Sequence, residues 1–180
     1  KETGREYAEK PIGLFRYIEE DPSRGMTAWV VGRYRNVFNL NESVQTFAVT
    51  QNTLHQTVEY GMKFKNSSVS VTASLDAGSP YLCFDIVCDW HELGSMETCI
   101  PQLNFSLPLC RKPLCYKYDI PLGVVKRDAA QLDVPANSFG LALAPEGYSL
   151  LLMADNKHGF RGTDDALSLT LIRSSFDPDP

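Results

Sequence analysis

The stretch Ser67-Ser68-Val69-Ser70-Val71-Thr72-Ala73-Ser74-Leu75 alternates hydroxyl-bearing and apolar side chains from Ser68 onward. Successive side chains of a β-strand point to opposite faces, so this period of two places every apolar side chain on one face. A strand with one apolar and one polar face is typical of an antiparallel sheet that is buried on one side. The stretch therefore predicts a half-buried antiparallel strand.

The same pattern extends along the chain. Leu167-Ser168-Leu169-Thr170-Leu171 repeats the alternation, and turn-forming stretches such as Asp76-Ala77-Gly78-Ser79-Pro80 separate further apolar runs. We predict strands in the runs rich in β-branched and aromatic residues, at 26–31, 46–49, 58–65, 81–87, 103–107, 116–120, 139–144 and 149–153. No window of a dozen residues keeps helical apolar spacing without a Gly or Pro. The pattern predicts an all-β fold, a large antiparallel β-sandwich.

Length and composition restrict the remaining possibilities. The chain has 180 residues, 43% hydrophobic and 22% charged, which predicts a single domain spanning residues 1–180. Seventeen basic against 22 acidic residues give a net charge of −5, which argues against a general phosphate-binding surface and against nucleic acid as a partner. No apolar run approaches the length of a membrane helix, so no membrane partner is expected.

The two ends of the chain suggest a fragment of a larger multidomain chain. The sequence begins without Met and stops at Asp177-Pro178-Asp179-Pro180, a turn-like tail. Residues 1–10 are charged and precede Pro11, and we expect them to form a frayed leader.

The cysteines indicate a reducing compartment. Their number, five, is odd, and Cys83, Cys88, Cys110 and Cys115 lie within or beside apolar runs, which predicts buried free thiols. Their Cys-x4-Cys spacings are wider than the usual opening of a zinc site, and no His completes one. We therefore expect no metal in this chain and a cytoplasmic location.

Two stretches hold polar and titratable side chains that can carry chemistry. In Asp89-Trp90-His91-Glu92, Trp90 can stack on a sugar while its neighbours bond hydroxyls, but a strand with Trp90 in the core and His91 and Glu92 in solvent is the favoured interpretation. Asp155-Asn156-Lys157-His158-Gly159-Phe160 reads as a loop between two strands, where binding residues concentrate. The alternative is a plain hairpin loop with Gly159 at a positive φ.

Several stretches of the sequence, taken in order, resemble those of one protein family. The similarity is to the C-terminal β-region of glycoside hydrolase family 38 α-mannosidases, closest to the bacterial and cytosolic branch. It extends over roughly residues 58–180 and rests on the two stretches above together with Tyr118-Asp119-Ile120-Pro121-Leu122-Gly123, Asp133-Val134-Pro135-Ala136, Gly140-Leu141-Ala142-Leu143 and Leu167-Ser168-Leu169-Thr170-Leu171-Ile172-Arg173-Ser174-Ser175. His158-Gly159 stands where the family usually has Tyr-Gly.

The resemblance implies that catalysis is carried out by other domains of a larger protein. In such enzymes a zinc ion and an Asp nucleophile lie in an N-terminal α/β barrel, a helical bundle follows, and β-sandwiches of galactose-mutarotase-like fold close the chain. They hydrolyse terminal α-D-mannose as exo-acting, retaining enzymes. The nucleophile and the zinc, or another divalent metal, are thus expected upstream. The fragment holds no catalytic residue or cofactor of its own and is expected to be inactive alone, with the catalytic and helical domains of the parent chain as its partners.

The resemblance also implies a substrate-binding role for the second stretch. Loops of this region reach the rim of the active site in the family, and Asp155, Asn156, Lys157 and His158 occupy the matching position. We expect them to bind the α-mannoside substrate, and a homo-oligomer of the parent is a further expectation. Two alternatives stay open. One is a freestanding carbohydrate-binding module that uses Trp29, Trp90 and surface tyrosines, and the other is a purely structural docking domain.

Overall fold

The structure is a computed structural model that describes residues 11–177. Within that range it contains fourteen strands and three single-turn 3-10 helices, at Pro22–Arg24, Asn41–Ser43 and Pro145–Gly147. The strands are β1 (Leu14–Glu20), β2 (Tyr34–Asn39), β3 (Val44–Gln51), β4 (His55–Phe64), β5 (Ser67–Asp76), β6 (Cys83–Asp89), β7 (Ile100–Pro108), β8 (Cys115–Ile120), β9 (Gly123–Arg127), β10 (Val134–Pro135), β11 (Phe139–Leu143), β12 (Leu150–Met153), β13 (Gly159–Gly162) and β14 (Ala166–Arg173). The all-β prediction is confirmed.

The chain divides into two compact units. The first comprises Lys1–Phe38 and Gly94–Pro180, and the second is the continuous segment Asn39–Leu93. The expectation of a single domain over residues 1–180 stays a prediction. The proposed leader, residues 1–10, lies outside the described residues.

The first unit is a β-sandwich of two antiparallel sheets. Its six-stranded sheet has the order β10-β13-β14-β7-β1-β2, and its four-stranded sheet has the order β12-β11-β8-β9. The sheets pack through aromatic side chains, with the rings of Tyr118 on β8 and Phe160 on β13 6.1 Å apart. Gly140 allows this approach, since a Cβ there would lie 3.0 Å from Phe160 and 3.1 Å from Tyr118.

The central strand of the larger sheet is buried along its whole length. All nine residues of β7 are buried, and the strand pairs with β1 on one side and β14 on the other. Leu103, Phe105 and Leu107 point to the apolar face between the sheets, and Phe105 meets Phe15 of β1 edge-on at 5.3 Å. Gln102, Asn104 and Ser106 alternate with them and point to the opposite face. This second face is buried but polar.

The second unit is the four-stranded antiparallel sheet β3-β4-β5-β6. The alternating stretch that predicts the fold forms β5, in which Val69 and Val71 are buried while Ser70 is exposed. Val69 pairs with Met62 of β4, which is also buried. Period two therefore identified the strand, and its buried face as far as Val71. Farther along the same face Ala73 is half-buried and Leu75 is exposed.

One predicted strand is wrong. Residues 26–31 form a turn, in which Trp29 N donates to Met26 O at 2.9 Å and Met26 has φ +49°. The backbone of Ala28 donates to Asp177 O, and that of Met26 donates to the Asp177 carboxylate. The hydrogen bonds that a sheet would have used go instead to the end of the described chain. No helix within residues 11–177 is long and apolar enough to cross a membrane.

Candidate functional site

The predicted binding loop spans residues 154–158, between β12 and β13. It is shorter than expected because Gly159 and Phe160 already belong to β13, where Gly159 pairs with Pro135 and Thr170. Gly159 is not among the residues with positive φ, so the hairpin conformation expected of it is wrong.

Three hydrogen bonds fasten this loop to the segment 136–138. Ala154 N donates to Ser138 O at 2.8 Å, and Ala136 N donates to His158 O at 3.0 Å. The imidazole Nδ1 of His158 lies 2.8 Å from Asn137 O. Both ends of the loop are therefore held by backbone groups of the same segment.

Asp119, at the end of β8, holds that segment in turn. Its carboxylate accepts hydrogen bonds from the backbone N–H groups of Ser138 and Phe139 and from the Ser138 hydroxyl, all at 2.7–2.9 Å. Burial alone would raise the pKa of Asp119, but the bonds from Phe139 and Ser138 outweigh it and lower the pKa to about 2. Asp119 is thus a charged anchor beneath the loop.

The loop presents polar groups without using them internally. Asp155, Asn156 and His158 are exposed and Lys157 is half-buried. Within residues 11–177, the side chains of Asp155, Asn156 and Lys157 have no hydrogen-bond or ion-pair partner. The four side chains supply two cationic or neutral donors, one amide and one carboxylate, a set suited to bonding sugar hydroxyls. A single carboxylate does not provide the pair that glycoside hydrolysis requires.

The polar face of the larger sheet carries a second feature, which the sequence did not indicate. A cavity of about 580 Å³ opens there, and we call it the arginine cavity because Arg16, Arg24, Arg33 and Arg161 line it together with Tyr34 and Asp165. Arg16 is on β1 and Arg161 is on β13. Arg24 ends a 3-10 helix, and Arg33 precedes β2. Asp165 is the one acidic residue in the described wall.

Arg161 is fixed in this wall by a buried ion pair. Its Nε lies 2.5 Å from Asp133 Oδ1, and the two side chains are 8% and 7% exposed. The guanidinium carbon is 3.7 Å from the centre of the Tyr34 ring, and the Tyr34 hydroxyl donates to Asp133 at 3.1 Å. Burial and then the Asp133 charge raise the pKa of Tyr34, so its hydroxyl remains a donor.

Arg16 lacks such a carboxylate. Its Nε and Nη2 donate to the amide oxygen of Asn104, at 3.1 and 2.6 Å. Burial lowers the pKa of Arg16 from its ordinary value, and the nearby charge of Arg161 acts in the same direction. The Nδ2 atom of Asn104 is buried without a hydrogen-bond partner in the described structure.

Comparison with known proteins shows which family the chain belongs to. A family model described as the C-terminal domain of glycosyl hydrolases family 38 matches residues 1–180. The chain belongs to this family. Human "Alpha-mannosidase 2C1" is 30% identical to it over 122 residues, which cover 63% of the chain and 11% of that protein. This family 38 C-terminal domain therefore spans about one tenth of the length of the relative that it matches.

In this family 38 domain, Asp89-Trp90-His91-Glu92 has a structural role. Glu92 is 7% exposed and accepts hydrogen bonds from Asn66 N at 2.9 Å and Ser67 Oγ at 2.8 Å. Trp90 is half-buried, with its ring 6.1 Å from that of Phe64, and His91 is exposed. His91 is exposed as predicted, but Trp90 follows the end of β6 and is only half-buried rather than in the core of a strand. The placement of Glu92 in solvent is also wrong, because its carboxylate closes the turn between β4 and β5.

The cysteines of the domain are all free, as predicted, but only partly buried. Cys115 is buried, Cys83 is exposed, and Cys88, Cys99 and Cys110 are half-buried. The expectation of buried thiols is thus confirmed for Cys115, only partly met by Cys88 and Cys110, and wrong for Cys83 at the exposed start of β6. No three His, Cys, Asp or Glu side chains in the described range lie close enough to hold a metal ion.

Proposed function

We propose that this domain is the C-terminal β-region of an exo-acting, retaining α-mannosidase that hydrolyses terminal α-D-mannose residues. The support is the family match over the whole chain and the similarity to human "Alpha-mannosidase 2C1". In this proposal the nucleophile and the metal belong to other domains of the complete protein. The 180-residue chain alone is then inactive.

The observation that carries the proposal is the fastened loop at residues 154–158. Its backbone is fixed through Ala154 and His158, while the side chains of Asp155, Asn156 and Lys157 remain unpaired in the described structure. A binding loop needs both properties, since fixed geometry lowers the entropy lost on binding and unpaired polar groups supply the bonds. The loop is therefore suited to lend contacts to a sugar at the rim of an active site.

The remaining surface supports a role beside larger domains. Leu114 and Leu122 are exposed by 72% and 108% respectively, on loops that flank β8. Exposed apolar groups of this size favour burial against another domain or subunit. We propose the catalytic and helical domains of the complete protein as those partners, in a cytoplasmic enzyme, with a second copy of the enzyme as a further partner.

The test uses the complete protein and a chromogenic α-mannoside. Replacing both Lys157 and His158 by Ala should lower kcat/KM about tenfold or more, because two polar contacts to the substrate are lost. The melting temperature should fall only slightly, since Lys157 has no partner in the described structure and His158 gives up one exposed hydrogen bond, to Asn137 O. Lys126→Ala, on an exposed position of β9, is the control and should leave kcat/KM unchanged. Unchanged kinetics in the loop variant would assign the domain a docking role only.

A second measurement tests where the chemistry lies. The 180-residue chain and the complete protein are assayed side by side, with and without a chelator. Activity confined to the complete protein and lost with the chelator is the expected result. Hydrolysis by the isolated chain would contradict the proposal.

One observation favours a second candidate, a carbohydrate-binding module. Trp29 is 72% exposed on the turn at residues 27–29, rather than inside a strand as predicted. An exposed indole is a suitable stacking surface for a sugar ring. If α-mannosides shift the tryptophan fluorescence of the complete protein, and Trp29→Ala removes the shift, this second function gains over the first.

A further inference from the structure

The arginine cavity concentrates positive charge in a chain whose net charge is −5. Four guanidinium groups line it, and Asp165 is the one carboxylate in its described wall. Asp133 neutralises Arg161 from behind, through the Nε atom. The charge that remains toward the cavity is positive, so the site favours an anion.

The partners of each arginine show which donors are available. Arg16 donates to a neutral amide oxygen, that of Asn104, so its charge has no hydrogen-bonded carboxylate. Within the described residues, the two Nη groups of Arg161 have no acceptor, and the side chains of Arg24 and Arg33 have no partner. Arg16 is the group that is half-buried without a hydrogen-bonded carboxylate, which is unfavourable, and a bound anion removes this cost.

The guanidinium groups are also held ready. The Tyr34 ring and the Asp133 carboxylate fix Arg161, and Asn104, itself 1% exposed, fixes Arg16. A planar guanidinium that is already oriented loses less entropy when it binds an oxyanion, and its paired N–H groups match two oxygens at once. Arg24 and Arg33 are exposed at the same cavity and can close on a ligand.

The volume of the arginine cavity and the other residues of its wall indicate which class of ligand it can bind. A volume of about 580 Å³ exceeds what an inorganic ion needs and lies in the range of pockets for small organic ligands. Thr163, Ser168 and Gln131 add hydroxyl and amide groups, which suit a polar organic part. A doubly charged oxyanion suits the excess of guanidinium groups better than a carboxylate with one charge.

We infer that the arginine cavity binds a small phosphorylated molecule, a sugar phosphate or a molecule of similar size, with its phosphate held between Arg16 and Arg161. This site is separate from the loop at residues 154–158, and it stands whether or not the complete protein hydrolyses α-mannosides. A phosphorylated ligand here fills the polar face of the sheet and stabilises the first unit.

Calorimetric titration of the complete protein, in a buffer without phosphate or sulfate, tests the inference. The probes are inorganic phosphate and glucose 6-phosphate, with glucose as the uncharged counterpart. We expect one molecule of glucose 6-phosphate per chain with a Kd below about 1 mM, weaker binding of inorganic phosphate and no binding of glucose. Absence of binding by both phosphates, or equal binding of glucose, would overturn the inference.

Variants locate the site and separate it from general surface charge. Arg16→Gln should weaken glucose 6-phosphate binding about tenfold, through the loss of a charge-assisted bidentate contact. Arg24→Gln combined with Arg33→Gln should have a similar effect, and both positions are exposed, so this variant keeps its fold. Lys126→Gln removes the same charge from an exposed position of β9 and should leave the Kd within about twofold. Equal weakening in Lys126→Gln, or unchanged binding in the double variant, would contradict the assignment.

Discussion

Glu20 and Arg173 lie 153 residues apart in the chain and form a two-pronged ion pair, with Nε 2.8 Å from Oε2 and Nη2 2.7 Å from Oε1. The Glu20 side chain is fully buried, and Gln102 and the backbone of Gly32 also donate to it. Arg173 donates further to the carbonyl oxygens of Thr27 and Val30. This pair joins β1, β14 and the turn at residues 26–31.

The first prediction concerns this pair. Glu20→Ala should lower the free energy of unfolding of the first unit by about 3–5 kcal/mol, since it leaves the Arg173 charge unpaired in a buried setting. Replacing both residues by Met should recover only part of that loss, because no unpaired charge remains but Gln102 and Gly32 N still lack their acceptor. Urea unfolding of the three proteins checks this. A loss below about 1 kcal/mol in the single variant would show that water solvates Arg173 adequately.

The second prediction concerns acid stability and Asp119. The folded pKa of about 2 lies below the ordinary value of 3.8, so the stabilisation by Asp119 is complete above about pH 4 and is lost as the pH falls toward 2. Asp119→Asn should cost about 1 kcal/mol at neutral pH, and the difference from the wild type should shrink between pH 4 and 2. Urea unfolding at several pH values measures it. Asp128→Asn, an exposed carboxylate, is the control, and a difference independent of pH would contradict the prediction.

The third prediction concerns the contact between the two sheets of the first unit. A Cβ at Gly162 would lie 2.6 Å from the Tyr116 ring, which is fully buried. Gly162→Ala should therefore destabilise the sandwich by about 1–3 kcal/mol. Gly123→Ala is the matched control, because nothing lies within 4 Å of its Cβ position, and it should be neutral or slightly stabilising. Thermal unfolding compares the two, and similar melting temperatures would refute the close packing.

The fourth prediction concerns the second unit. Glu92→Ala should destabilise it by about 1–3 kcal/mol, because Asn66 N and Ser67 Oγ lose their buried acceptor. Hydrogen exchange should become faster in β4 and β5, next to the turn that Glu92 closes. Glu59→Ala, an exposed position on β4, should have an effect within about 0.5 kcal/mol. Equal exchange in the two variants would contradict the role of Glu92.

Local periodicity predicted the strands that have one apolar and one polar face. β5 is the clearest case, since Val69 and Val71 are buried as the alternation requires, although Leu75 on the same face is exposed. The turn at residues 26–31 was missed because its geometry depends on hydrogen bonds to Asp177. The residues near the turn in the sequence do not indicate these long-range bonds. Its apolar composition resembles a strand, and long-range hydrogen bonds override that preference.

The sequence indicated the loop at residues 154–158 but not the arginine cavity. Residues 155–158 are consecutive in the sequence, so their polar composition was enough to predict a binding loop. Arg16 and Arg161 meet only through the pairing of β1, β7, β14 and β13, and neither β1 nor β13 was predicted. The net charge of −5 argued against phosphate, but an average over the whole chain conceals a local group of four arginines. Net charge predicts long-range attraction and gives no information on one cavity.

The discontinuity of the first unit has a consequence for the order of events during synthesis. Phe15 leaves the ribosome long before its partner Phe105, and the whole second unit is made in between. The second unit is one continuous segment whose strands pair with their neighbours in the chain, so it can assemble while the growing chain is still attached. β1 must wait for β7, and Thr27 must wait until Asp177 has emerged. A chain whose synthesis stops before β7 would leave β1 without this partner strand, exposed to chaperones and proteases.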